Sequence, residues 1–227
     1  EEIPVNNVQI TNNKIHTEAK KYAYGLIINH AENALIENNT ITTNTTYYAA
    51  GIQSTSITNS TYNKNTIQIN GTELSYGIIV NGFLDYTTGQ VNIVENNQII
   101  NNNININSNN AWAIEVYISE DNNIENNTIT IIGQNTVGIG LGDSERSIVS
   151  HNTINITSNM EIPENNGDTI TSYPAGIKIC PTKLKVKAAN NNTITYNNIT
   201  VNAPKQVPAI NSSTNSNKIT ENYLISP

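Results

Sequence analysis

The stretch Leu35-Ile36-Glu37-Asn38-Asn39-Thr40-Ile41 decides the fold. An apolar pair, a short polar corner and a Thr-Ile pair follow one another within seven residues. Ile and Thr in short alternation are a strand signal. The gap between the two pairs is too short for anything but a sharp bend. Asn suits such a bend because it tolerates the left-handed backbone conformation. The same phrase recurs along the chain. It reads Ile10-Thr11-Asn12-Asn13-Lys14-Ile15 before this copy and Tyr62-Asn63-Lys64-Asn65-Thr66-Ile67 after it. Later copies centre on Asn97, Asn127, Asn152, Asn197 and Asn222, and two are doubled in tandem, at Val94–Ile104 and Ala189–Ile199.

A second phrase keeps the same beat: a small residue, an apolar residue, a variable one and another residue that is mostly apolar. It begins at Gly25, Gly51, Gly77, Ala113, Gly138 and Gly176, with a weaker last copy at Ala209. The unit is therefore close to 25 residues, with insertions at about 83–92 and 160–173. Each unit holds three short strands. A hairpin meander has no reason to keep Asn at one phase of one period. A coil that rises one strand spacing per turn does, because equivalent strands then stack in parallel at ~4.8 Å. Ile stacks on Ile inside, and Asn stacks on Asn at the bend, where an amide offers both donor and acceptor. The expectation is an all-β chain, a right-handed parallel β-helix of about eight coils, with residues 1–227 forming one domain. Its core comprises Leu26, Ile28, Ile36, Ile41, Ile52, Ile67, Ile78, Val80, Ile114, Val116, Ile129, Ile139, Leu141, Ile154, Ile177 and Ile179.

Composition narrows the function. Charged residues are 13% of the chain and the formal net charge is -7, with Lys plus Arg at 11 against 18 acids. Such a chain lacks the basic surface that neutralises nucleic-acid phosphates or anionic lipid. No apolar run approaches the ~20 residues that span a bilayer. The single cysteine, Cys180, excludes disulfide scaffolds and cysteine-rich metal sites. His16, His30 and His151 fall in different coils at different phases and make no metal triad.

The Asn-x-Ile rhythm with periodic Gly-Ile-x-Ile resembles the right-handed parallel β-helix repeats of pectate-lyase-like proteins. In its Asn- and Ile-rich, Lys-poor composition it is similar to the adhesin-like surface proteins of methanogenic archaea. The likeness runs from about Val5 to Ile225. It implies an extracellular, cell-surface or wall-associated rod that meets glycans or other cells. The chain opens and closes mid-rhythm, so it reads as a fragment of a larger surface protein. The scaffold hosts many activities, and function must be argued from a site.

Two groups of residues are candidates. Tyr22, Tyr24, Tyr47, Tyr48, Tyr76, Trp112 and Tyr173 all lie within four residues before a small-Ile phrase. Stacked coils gather them along one edge. Exposed aromatic faces grip sugar rings, so Tyr22, Tyr48, Tyr76, Trp112 and Tyr173, with Glu115 and Lys178 on the same face, are the expected ligand-binding residues. Against this, simple alternation turns Tyr24, Tyr76 and Trp112 inward as packing residues. The second group is acidic. By the resemblance, lyases on this scaffold use calcium held by carboxylates and a basic proton acceptor, and hydrolases use clustered Asp. Here the catalytic candidates are Glu115, Asp143 and Arg146, the offset between Ala113 and Gly138 placing Asp143 beside residue 118. Candidate calcium ligands are Asp121, Asp143 and Glu145. The alternative is that these are solvated turn charges screened by Arg146.

The sequence thus points to a monomeric, non-catalytic rod binding a glycan or a partner-cell surface. The alternatives are a polysaccharide lyase or hydrolase on the same face, and a structural spacer. An amide- and hydroxyl-rich face suits neutral sugars better than polyuronates, which an acidic protein repels.

Overall fold

In a computed structural model, which describes residues 4–159, 174–181, 186 and 188–226, the chain winds as a right-handed parallel β-helix. One coil shows the pattern. The long strand Tyr22–Glu32 turns through Asn33-Ala34 into Leu35–Glu37. That strand turns through Asn38-Asn39 into Thr40–Thr45, and Thr46-Tyr47 leads into the next long strand, Tyr48–Thr58. Equivalent strands of successive coils pair in parallel to give three sheets, two of eight strands and one of nine. We call them the long, middle and third sheets in the order met along a coil. Among the described residues one antiparallel pair departs from this pattern, the hairpin Phe83–Leu84 with Val91–Asn92. No helix of the described residues is long and apolar enough to cross a membrane.

The interior consists of apolar columns. In the third sheet Ile41, Ile67, Ile104, Ile129, Ile154 and Ile199 are consecutive register partners. All six are fully buried. The middle sheet stacks Ile36, Tyr62, Ile99, Ile124, Val149 and Ile194 in the same way. The larger Tyr62 is accommodated opposite Ser54, a small residue in the column that elsewhere holds Ile28, Val80 and Val116. Each inward Ile contributes roughly 1.5–3 kcal/mol. Of the expected core, only Leu26 is not fully enclosed: it lies in the first complete coil, where Val5–Asn6 covers only the far end of the strand.

The Asn of the repeat stacks from coil to coil as expected, but it does not itself take the left-handed conformation. The left-handed residue is the one before it: Asn38 has φ 53°, and Lys64, His151, Tyr196 and Glu221 take the same conformation at the equivalent place. The Asn itself is buried and bonds from coil to coil. Asn39 donates from both its backbone N and its Nδ2 to Asn65 Oδ1, at 3.1 and 3.0 Å, and its Nδ2 also donates to Ile10 O at 2.8 Å. Asn65, Asn102, Asn127, Asn152 and Asn197 continue the ladder. The tandem copies are a second ladder at the other turn. There Ser60, Asn97, Asn122, Ser147 and Asn192 accept from the backbone of the preceding coil. The phrase at Asn97 therefore belongs to the first turn, and Asn102 is the in-phase partner of Asn65.

Candidate ligand-binding face

The outward face of the long sheet is where sequence and geometry converge. Its strands change phase at the small residue. Trp112 is half-buried, Ala113 and Ile114 are both buried, and Glu115 is again half-buried. The register skips this position, pairing Tyr76 with Trp112 and Ile78 with Ile114. The reason is close approach. A Cβ on Gly77 would lie 2.3 Å from Ala113 O and 2.6 Å from Ile104 Cγ2. The phase change turns Tyr24, Tyr76 and Trp112 outward, so alternation carried straight through the small residue misplaces all three.

The rings form a ladder along the rod. Tyr24 and Tyr48 are 5.5 Å apart between centroids, Tyr48 and Tyr76 are 5.8 Å, and Tyr76 and Trp112 are 5.6 Å and near parallel at 23°. Tyr48 comes from the neighbouring column and lies between Tyr24 and Tyr76, where the in-register residue is only Ala50. Tyr22 is 55% exposed and meets Tyr47 edge-on at 5.7 Å. Both line a groove with Lys20, Lys21, Thr46 and Glu73. Trp112 ends the described ladder, because the next residues in its column are Val137 and Ala175. Its outer face therefore has no ring stacked on it from that column. Tyr173 lies outside the described residues.

The adjacent outward column reads Ile27, Gln53, Ile79, Glu115, Gly140, Lys178 and Asn211. Glu115 is largely desolvated, which pushes its carboxyl up to about 7, opposed by Lys178. The phenols of Tyr48, Tyr76 and Tyr117 are all held above their ordinary range, chiefly by burial, with the nearby Glu115 charge adding to it in each case. Tyr48 donates to Gln53 Oε1 at 3.2 Å. Tyr117, in register with Asn81 and Gly142, completes the cluster. Reading outward positions on both sides of the phase change would have identified Tyr117 and Gln53, which the aromatic-before-glycine rule misses. The insertion at 83–92 leaves from the far end of the long strand, across the face from the ladder, and Phe83 reaches His30 at 6.3 Å between ring centroids. The 160–173 insertion lies outside the described residues.

The acidic candidates separate. Asp143 is beside Ile118 as the spacing required, but it is fully buried with a left-handed backbone, and its carboxylate accepts from Val186 N at 3.1 Å. Arg146 sits at the turn into the middle sheet. It binds Asp121 through two hydrogen bonds of 2.9 and 2.8 Å, contacts Glu120, and lies 3.6 Å from Glu145. These carboxylates hold the guanidinium above its usual range, chiefly through the Asp121 hydrogen bonds. Asp121 and Glu145 are thus gathered around a cation that the chain itself supplies. Glu115 stands apart, on the face with the tyrosines. Among the described residues no group of three or more His, Cys, Asp or Glu is arranged to hold a metal ion. Cys180 follows Lys178 on the long strand, and burial raises its thiol.

No protein-family model matches the chain, and neither a curated protein nor a solved structure shows significant similarity to it.

Proposed function

We propose that this β-helix is a non-catalytic glycan-binding rod of an extracellular, adhesin-like surface protein, with the outward face of the long sheet as its binding face. The observation that carries the reading is the outward ladder Tyr24, Tyr48, Tyr76 and Trp112 lying beside hydrogen-bonding side chains at Gln53, Glu115 and Lys178. Apolar ring faces and a few convergent polar groups are what a pyranose needs: contact beneath the ring and bonds at its hydroxyls. A rigid scaffold holds these groups at little entropic cost on binding. The resemblance to archaeal surface proteins is the ground for the extracellular placement. A lyase or hydrolase acting through Glu115, Asp143 and Arg146 is disfavoured because Asp143 is enclosed and Arg146 is bound to its own carboxylates.

The test is a glycan array probed with the chain, alongside a turnover assay on polysaccharides with and without calcium. The expected result is binding without turnover. Replacement of Trp112 by Ala should weaken that binding by about tenfold, roughly 1.4 kcal/mol. Turnover lost on Asp143→Ala would establish the enzyme instead. Silence in both assays would leave the spacer.

A further inference from the structure

We propose that the corner between the third and long sheets in the first three coils is a second sugar site, separate from the aromatic ladder, and that it takes the end of an acidic glycan, a terminal pyranose bearing a carboxylate. The site goes beyond the reading above, whose binding face is the long sheet. The corner is built by Lys20-Lys21, Thr46-Tyr47 and Gly71-Thr72-Glu73, the links between successive third and long strands. Its backbone is pinned from coil to coil. Thr46 Oγ1 donates to Lys20 O at 2.5 Å, Tyr48 N to Lys21 O at 2.8 Å and Leu74 N to Tyr47 O at 2.9 Å. A recess of about 620 Å³ opens there, lined by Lys20, Lys21, Tyr22, Thr46, Tyr47 and Glu73. A second recess of about 650 Å³, with Glu18, Asn44 and Asn70, shares Lys20 and Thr46 as its wall. Both fall within the size range of small-ligand sites, about 300–1,000 Å³. The pinned backbone forms them before any ligand arrives, which lowers the entropic cost of binding.

Tyr22 and Tyr47 keep 55% and 53% of their surface in solvent. They meet edge-on at 5.7 Å between centroids, which leaves ring faces free to lie beneath a pyranose. Lys20 and Lys21 are the one adjacent pair of cations in a chain of net charge -7, and both are exposed. Neither makes an ion pair among the described residues. Against them the first recess holds one carboxylate, Glu73, so its formal charge is positive while the field of the whole chain is negative. Glu18, in the second recess, lies 3.9 Å from His16 Nε2. A ligand carboxylate gains charge-assisted bonds from the two ammonium groups, and Glu73 accepts from a ring hydroxyl. In the second recess Asn70 Nδ2 donates to Asn44 Oδ1 at 3.1 Å, which leaves Asn44 Nδ2 and Asn70 Oδ1 for the hydroxyls of the next sugar. A polymer with a carboxylate on every sugar still meets the acidic remainder of the chain, so the corner fits one carboxylate at a glycan's end. The equivalent corners of the next two coils, Ser108-Asn109 and Gln134, carry neither charge nor ring. The scaffold repeats there and the chemistry does not, so stacking of the coils does not require these side chains.

The measurement is calorimetric titration of the intact chain with oligosaccharides ending in glucuronic acid or in sialic acid, with their neutral-ended counterparts, and with a sulfate-ended one. The carboxylated ends should bind about fivefold more tightly than the neutral ones at low salt, and the advantage should shrink at high salt. A preference for either acid over the other supports the site and names the sugar. The double variant Lys20→Met, Lys21→Met should remove the advantage. Both side chains are exposed and only their backbone carbonyls bind the next coil, so an unchanged urea midpoint should show that the variant folds. Tyr47→Ala should weaken the carboxylated ligands about tenfold. Trp112→Ala, on the ladder, should leave the carboxylate advantage intact. If Trp112→Ala removes it and the double lysine variant does not, the acidic end sits on the ladder and the corner is not its site. Equal affinity for neutral ends, or a preference for sulfate, overturns the carboxylate ligand. No binding to any of these oligosaccharides overturns the corner site, while array binding lost on Trp112→Ala would still stand for the ladder.

Discussion

Asn127 and Asn126 are neighbours of one residue type with unrelated tasks. Asn126 is exposed at φ 56° and serves the backbone. Asn127 is buried, and its Oδ1 accepts two bonds from Asn102 while its Nδ2 donates to Ile99 O and Asn152 Oδ1. Removing that side chain takes partners from buried groups on the two flanking coils, each unsatisfied group costing about 1–3 kcal/mol. Asn127→Ala should therefore cost at least 3 kcal/mol in urea denaturation. Asn126→Ala should lose only the ~1–2 kcal/mol of a non-glycine left-handed residue, and Asn126→Gly less than that. Equal losses at the two positions would show that the ladder contributes nothing beyond its turn. The stacking Asn was legible in the sequence as the one kept at a single phase of the repeat, but that the left-handed conformation falls on the residue before it was not. Both conformations suit the same residue type, and only neighbours 25 or 26 residues away distinguish them.

The long strand Asn110–Glu120 presents Trp112, Glu115 and Tyr117 outward and buries Ala111, Ala113, Ile114, Val116 and Ile118. This arrangement has a consequence for pH. Glu115 has a folded-state pKa near 7, above its ordinary value, so the folded chain holds a proton there that the unfolded chain releases at lower pH. The contribution is fully present below the ordinary carboxylate range and is lost as pH rises through about 7. Glu115→Gln should leave the melting temperature near that of the parent at pH 4 and raise it at pH 8. A variant whose advantage did not grow with pH would place Glu115 in water rather than beneath the tyrosines. The strand's identity was readable from its Ala-Ile-Glu-Val phrase. Its facing was not, because parity is broken at Ala113, where the backbone passes too close to the preceding coil for two-residue alternation to continue through it.

A solenoid has a stable middle and weaker ends, since each coil is supported only by its neighbours. Ile129 is fully buried between Ile104 and Ile154, whereas Leu224 is 47% exposed in the last coil. Ile129→Ala should cost about 2–5 kcal/mol, as deletions in a packed core do. Leu224→Ala should cost less than 1 kcal/mol, the usual range for a surface site being about 0.5 kcal/mol either way. Urea midpoints compared at constant m-value test this, and equal losses would contradict the nearest-neighbour account. The interior varies little between coils, Tyr62 opposite Ser54 being its main departure, so a near-periodic core supports a varied outward face without altering the fold.

Period, strand class, the buried columns and the stacking of Asn on Asn were all set by the order of residues. Each depends on spacing along one chain, and a repeat copies its own neighbours. The outward turn of Tyr76 and Trp112, the isolation of Asp143 from Arg146, and the meeting of Glu115 with Tyr48 and Tyr117 were decided by the tertiary structure. Those outcomes depend on clearances of a few tenths of an ångström between adjacent coils and on which charge reaches a partner first, and neither is written in the period.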